Sequence, residues 1–398
     1  MSEQNTPIEH PVENGGDESI LQGLKAFSAR SFIRQIDWPL VRMNVAIKAL
    51  LVVFGAICYK LFDNQKIDGW YGWLTMWHRW DSLRHLRIAQ TGYVNVGPER
   101  TDLVGLPVDP WIVRAFAFIF QDYLISGFIV AGLASIAAGL LLYKLVRIDQ
   151  PESVARNSVW FLLIFPTSYF LHINYTESLF LALALGCLLA ARKENWIVAA
   201  ILGLLVCMTR VNGLVIIPVL MVEAFQQYWE TRRWQWEWLL IALAPLGFVV
   251  HLIINYRVAG DAFAFLTIGS VDYHKSLSTP WVGIQGVISW FWSDQPATVI
   301  NSGVLELMFI AIGFVCIIAC SWLLRPAYTA WIAGNWLMFT SVGYVLGSPR
   351  YTLMLFPIFI LFAKLAERQT WFTIITVWSL LFLALFAAQF VRGHWAFG

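Results

Sequence analysis

The chain has 398 residues, 59% of them hydrophobic and 13% charged, with a net charge of +2. A soluble globular chain carries about 25% charged residues, and with a mean hydropathy of +0.64 this one has more apolar surface than a water-soluble domain of its size can bury. A soluble enzyme is excluded, no nucleic-acid partner is expected, and the long apolar runs exclude a transmembrane β-barrel, whose strands alternate with period two.

The expected fold class is therefore an all-α polytopic membrane protein. Residues 1–19 are polar and acidic and read as a disordered tail. From Ile20 to Ile36, apolar residues alternate with Lys25, Arg30 and Arg34. That pattern predicts a basic amphipathic helix on the cytoplasmic membrane surface, so that 1–42 is a cytoplasmic tail and 43–398 the membrane domain. Apolar runs follow at 43–62, 124–146, 155–171, 175–192, 196–209, 212–228, 237–256, 304–325, 328–346, 351–367 and 371–391, predicting about eleven transmembrane helical segments. Two long polar stretches, 63–123 and 257–303, interrupt them.

Short basic connections, with Lys144, Arg147 and Arg156, then Arg192 and Lys193, then Arg232 and Arg233, then Arg325, then Lys364 and Arg368, belong in the cytoplasm by the positive-inside rule. Both long stretches are then extracytoplasmic loops. The first contains Lys66 and several arginines, but loops near 60 residues translocate largely regardless of charge. As one helix, 196–228 would run to roughly 50 Å, too long for a ~30 Å hydrocarbon core. Thr209-Arg210-Val211-Asn212-Gly213 divides it into a helical hairpin with its tip at the outer side.

With this topology the polar interruptions fall on one side. They are Arg79, Trp80 and Asp81 after the first run, Tyr175, Thr176 and Glu177 at the turn before the fourth, Arg210 and Asn212 at the hairpin tip, Arg350 and Tyr351 at the turn before the tenth, and His394 and Trp395 after the last. Ionisable residues at membrane depth are expensive and point to function, and their convergence predicts an outer cavity of carboxylates, arginines and aromatics. Each also has a plain structural reading. Asp81 suits the N-cap of a helix starting at Ser82, Glu177 suits a helix dipole, Arg210 suits an ion pair with Glu177, and Arg350 suits snorkelling to the interface. Trp70, Tyr71, Trp73, Trp77 and Trp80 read as an interfacial belt. Asn174-Tyr175-Thr176 is formally a glycosylation sequon at a span start. The five cysteines (Cys58, Cys187, Cys207, Cys316, Cys320) lie in apolar stretches and read as core residues.

At these positions the sequence resembles the PIG-V-like mannosyltransferases of the C-type glycosyltransferase superfamily. The resemblance is carried by Trp80-Asp81-Ser82 with Gly92-Tyr93, by Phe165-Pro166-Thr167-Ser168 running into Tyr175-Thr176-Glu177-Ser178, by Thr209-Arg210-Val211-Asn212-Gly213, by Pro349-Arg350-Tyr351 with Phe356-Pro357, and by Gly393-His394-Trp395. Leu83, Arg84 and His85 depart from the small and aromatic residues common after Trp-Asp-Ser in that family. The resemblance implies an inverting transfer of a sugar, by analogy mannose, from a polyprenyl-phosphate donor to a lipid or glycan acceptor hydroxyl on the extracytoplasmic side. It implies Asp81 as general base and Arg210 and Arg350 on the leaving phosphate, with Arg79 or Arg84 as alternatives. No cofactor is expected: no dense carboxylate cluster for Mg²⁺ or Mn²⁺ is seen, and arginines screen the leaving group. The membrane is the cell (inner) membrane in a prokaryote, as the short polar tail suggests, and the endoplasmic reticulum membrane in a eukaryote. The alternative function is a polyisoprenoid-lipid or glycolipid transporter or flippase, since a broken hairpin also suits a transporter site; against it, no inverted repeat relates the halves.

Overall fold

The computed structural model describes residues 37–63 and 66–397. The polar tail 1–19 and the amphipathic helix 20–36 expected from the sequence lie outside the described residues. The described residues from Leu40 onward form one compact unit. They are helical apart from turns and one isolated bridge between Leu277 and Val342. The principal helices are α1 (Trp38–Asp63), α2 (Asp81–Thr91), α3 (Val108–Phe120), α4 (Tyr123–Val146), α5 (Glu152–Ile164), α6 (Glu177–Arg192), α7 (Trp196–Cys207), α8 (Ile216–Thr231), α9 (Leu246–Ala259), α10 (Ala264–Asp272), α11 (Pro280–Ser289), α12 (Glu306–Leu323), α13 (Pro326–Thr340), α14 (Ser348–Thr352), α15 (Pro357–Leu365) and α16 (Gln369–Val391).

All eleven apolar runs contain helix, but among the described residues six helices are long and apolar enough to cross a membrane. These are Trp38–Phe62, Tyr123–Val146, Val211–Thr231, Trp236–Ala259, Pro296–Leu323 and Gln369–Val391. A seventh arises if Pro98–Val104 and Val108–Phe120, bent by 108° at their junction, count as one span. The runs at 155–171, 175–192, 196–209, 328–346 and 351–367 yield α5, α6, α7, α13 and α15, of 9 to 16 residues. At 1.5 Å per residue these fall short of a ~30 Å core.

Prolines account for several of the breaks. Phe165, before Pro166, has ψ 145° and ends α5, because the residue before a proline is pushed out of the α region. The chain resumes as a 3-10 turn at Ser168–Leu171. Pro357 begins α15, where its missing N–H costs nothing. Among the short helices α6 is the most enclosed: nearly every residue is buried, including Glu177, as expected of a helix apolar on all faces.

The two stretches read as polar loops are not structureless. The first carries α2 and α3, with α3 packed along α4. The second carries α10 and α11 and the start of the Pro296–Leu323 rod, which opens with a π-helical segment at Val299–Leu305. The division of 196–228 falls where the sequence places it: α7 ends at Cys207, and a 3-10 turn at Val211–Val215 leads into α8. Only glycine fits at Gly213, where a Cβ would run into the Val206 carbonyl. The Val108 N–H donates to the Met208 carbonyl at 3.4 Å, so the start of α3 is tied to this tip.

Candidate active site

Four chain segments, the starts of α2, α6 and α14 and the α7–α8 tip, deliver charged side chains to one place. Asp81 is the first residue of α2. Its Oδ1 accepts from Arg84 Nη2 at 2.5 Å and its Oδ2 from Arg350 Nη1 at 2.7 Å. Arg350 Nε donates to Glu177 Oε1 at 2.6 Å, and the same oxygen accepts from Arg210 Nη1 at 2.7 Å. Arg210 Nη1 also donates to Thr176 Oγ1 at 2.7 Å, and its Nε to Asn212 Oδ1 at 3.4 Å. Asn212 is braced in turn by Asn335 at 2.8 Å. The result is a chain of alternating charge, Arg84–Asp81–Arg350–Glu177–Arg210.

Within that chain three guanidiniums face two carboxylates, leaving one positive charge in excess. Glu177 is fully buried and Arg350 nearly so, whereas the Asp81 side chain is 28% exposed. The network is therefore sealed at Glu177 and open at Asp81. Burial pushes the Asp81 carboxyl up, but the Arg84 and Arg350 guanidiniums beside it outweigh burial and hold it well below the usual carboxylate range. The neighbouring His85 is pushed down to about 3 by burial and then by Arg84, and stays neutral at physiological pH.

Aromatic rings frame these charges. Arg350 lies 4.6 Å over the Tyr175 ring and 5.0 Å over Phe170; Arg210 lies 5.7 Å over Tyr351. Trp80 meets Trp395 edge-on at 5.6 Å. Trp80 holds φ at 54°, a region bulky residues seldom adopt, immediately before Asp81. The segment after α10 adds Tyr273, whose hydroxyl accepts from Arg84 at 3.3 Å, and Lys275, whose Nζ donates to the Tyr351 hydroxyl at 3.1 Å.

Several plain structural readings are settled by these contacts. Asp81 makes no capping bond: Trp80 occupies the N-cap, and the carboxylate goes to two arginines. Arg350 does not snorkel, being buried against Asp81 and Glu177. Arg210 does pair with Glu177. Asn174 is buried and reaches Ser82 at 3.4 Å, so the formal sequon is enclosed.

Two of the expected site residues do not join. Arg79 spends its donors on the backbone carbonyls of Met76 and Val391, at 3.2 and 3.0 Å, and Arg84 takes the place in the network. Tyr175 supports this arrangement from below, donating to the Arg79 carbonyl at 2.9 Å. The His394 side chain is exposed and bonds to none of these groups, although Trp395 beside it packs on Trp80.

Sequence reasoning missed Glu306, Tyr273, Lys275 and Asn335. Glu306 is fully buried in α12, and its two oxygens accept the backbone N–H groups of Gly347 and Ser348 at 2.6 and 2.7 Å. It thereby holds the start of α14, which carries Arg350. As a lone acid in an apolar run, it was open to the criterion that picked out Glu177. Asp109, at the start of α3, is also buried. Among the described residues no group of three or more His, Cys, Asp or Glu side chains is arranged to hold a metal ion.

Helices α3, α4, α6 and α7 line an open, largely apolar groove of about 690 Å³. Its α6 wall begins at Leu179, two residues after Glu177, and its far end is at Lys193 and Asn195.

A family model described as dolichyl-phosphate-mannose-protein mannosyltransferase matches residues 104–254. The matched stretch is less than half of the chain. It holds Thr176, Glu177, Arg210, Asn212 and the groove, and it excludes Asp81 and Arg350. The match supports a multi-pass membrane glycosyltransferase of the mannosyltransferase type, within the C-type superfamily. No curated protein matches the chain.

Proposed function

We propose that this protein transfers a sugar, mannose by its family match, from a polyprenyl-phosphate donor to an acceptor hydroxyl, with inversion and on the extracytoplasmic side. The observation that carries this reading is the chain Arg84–Asp81–Arg350–Glu177–Arg210, with its excess positive charge and its single accessible carboxylate at Asp81. Such a transfer requires cations for an anionic leaving group and a general base, and the network holds arginines and a carboxylate for these roles within a few ångströms of each other.

In this mechanism the acceptor oxygen attacks the anomeric carbon from the face opposite the phosphate. Its proton passes to Asp81 as the new bond forms, an assistance worth typically 10²–10⁴-fold in rate. The bond from the anomeric carbon to the phosphate oxygen breaks, and its electron pair stays on the phosphate, where guanidiniums stabilise it. Arg84 and Arg350 each have a double duty. While paired to Asp81 they keep it ionised but weakly basic; when a phosphate draws them toward itself, the carboxylate gains proton affinity. Donor binding thus strengthens the base. The apolar groove at α3, α4, α6 and α7 suits the isoprenoid tail, since its α6 wall starts within one helical turn of Glu177 and its lining is mostly aliphatic. Trp80 and Trp395 suit a sugar face.

The resemblance to the PIG-V-like group is a finer reading, supported by the motifs at Trp80-Asp81-Ser82 and Pro349-Arg350-Tyr351 outside the matched stretch. The deciding experiment is an assay of the purified chain against a panel of polyprenyl-phosphate sugars. Transfer from the mannosyl donor with inverted configuration is the expected result; absence of transfer from every member of the panel overturns the proposal.

A further inference from the structure

Lys275 is held where a lysine gains little in the fold. It is half-buried, and its Nζ has a neutral partner, the Tyr351 hydroxyl at 3.1 Å, with the ammonium 5.5 Å over the same ring. No carboxylate lies within ion-pair distance of it among the described residues, and the buried Glu306 carboxylate acts on it only at longer range. An ammonium has three donors, so that one contact leaves two unused. The backbone nonetheless fixes it closely. Lys275 N–H donates to the Gly269 carbonyl at 2.8 Å, Gly343 N–H to the Ser276 carbonyl at 2.8 Å, and Ser278 N–H to the Ser341 carbonyl at 3.0 Å. The same segment touches the ion network at Tyr273 and is tied down by Arg100, which donates to both oxygens of Asp272 at 2.8 and 3.0 Å. Arg210 also lies near the Tyr351 ring, at 5.7 Å from its centre.

We infer that Lys275 is a fourth cation of the site and takes up the charge that appears on the phosphate during transfer. This rests on the function proposed above. The reasoning is a charge balance. A polyprenyl-phosphate sugar is a phosphodiester with one negative charge. Cleavage of its anomeric C–O bond leaves a phosphate monoester, whose second pKa near 6 gives it about −1.5 to −2 at neutral pH. Three arginines and Lys275 face the carboxylates of Asp81, Glu177 and Glu306, the last of which acts on Lys275, and leave one positive charge, enough for the diester. When Asp81 takes the acceptor's proton two are left, matching the monoester; without Lys275 each count is one lower. Its neutral partner makes the exchange from Tyr351 to a phosphate oxygen inexpensive, and an interaction that strengthens only as charge develops raises kcat rather than lowering KM.

The test uses the full-length purified chain with a polyprenyl-phosphate sugar donor and, as a separate ligand, the bare polyprenyl monophosphate. Lys275→Met is expected to lower kcat about tenfold to hundredfold, with donor KM changed by less than about threefold. It should weaken inhibition by the monophosphate by a similar factor. Lys275→Gln keeps a donor for Tyr351 and removes the charge, so it must behave like Lys275→Met; Lys275→Arg must restore most of the loss. Wild-type kcat and monophosphate inhibition in both neutral variants overturn the assignment while leaving the proposed function standing. So does recovery in Lys275→Gln, which would make the bond to Tyr351 the only role. A wild-type chain that neither transfers from any such donor nor binds the monophosphate overturns the proposed function and this assignment together.

Discussion

Arg350 Nη1 lies 2.7 Å from Asp81 Oδ2, joining residues 269 positions apart. It closes the site, because the same guanidinium grips Glu177 at 2.6 Å through Nε. One side chain thus links the exposed carboxylate to the sealed one. What Asp81 does in catalysis is bound up with what Arg350 releases.

Asp81→Asn removes basicity and keeps size. The variant is expected to fold and bind donor, and to lose about 10²–10⁴-fold in transfer rate. Donor binding and single-turnover transfer, measured on the same preparation, check this. Near wild-type transfer would move the base to Glu177, Asp102 or Asp109.

The pH profile follows from the same pair. Burial raises the Asp81 pKa, but Arg84 and Arg350 outweigh it, so in the free protein the carboxyl titrates below the usual carboxylate range. The kcat/KM profile, which reports the free enzyme, should therefore stay flat down through the ordinary carboxylate region. Arg350→Gln removes one of the groups that lower this pKa, so its acid limb should move to higher pH. The kcat profile of the wild type should also show its limb at higher pH than kcat/KM, because bound phosphate competes for the arginines. Identical acid limbs in the wild type and Arg350→Gln would separate Asp81 from the rate.

Arg210 and Glu177 form a buried pair at 2.7 Å that a double-mutant cycle can weigh. Removing one partner of such a pair typically costs about 3–5 kcal/mol. Glu177→Ala should be the more damaging, since it strips both Arg210 and Arg350. Arg210→Lys keeps the charge but loses the two-directional grip on Glu177 and Thr176, and should weaken donor use more than folded yield. Thermal melts in detergent, set against donor affinity, separate the two effects.

Much of this was legible in the sequence, and the limits have physical causes. Apolar runs reveal helices wherever lipid or core demands them, so each of the eleven runs contains helix. They do not reveal length, because breaks such as Phe165-Pro166 and Leu355-Phe356-Pro357 turn expected spans into short enclosed helices. Arg210, Glu177 and Arg350 stood out because a charge amid apolar residues must be paired or functional. Lys275 and Tyr273 did not, for they sit in a polar stretch where a lysine or tyrosine carries no signal. Their partners, Tyr351 and Arg84, lie 76 and 189 residues away.

The last prediction concerns Glu306, which holds the backbone that carries Arg350. Its carboxylate accepts the Gly347 and Ser348 N–H groups and so sets the start of α14. Gly347 itself sits at φ 89°, where a side chain is strained. Glu306 does not reach Asp81; it positions Arg350, which does. Glu306→Gln keeps one acceptor oxygen for two donors and swaps the other for an N–H₂ that faces a donor. It should therefore displace Arg350 without removing it. The expected signature is a fall in kcat of about tenfold, with the acid limb of kcat/KM moved toward higher pH, as in Arg350→Gln, because a displaced guanidinium lowers the Asp81 pKa less. Glu306→Asp, which preserves both acceptors on a shorter arm, should recover part of each effect. A Glu306→Gln chain that is merely less stable, with its pH profile unchanged, would leave Glu306 a structural clamp with no hold over Arg350.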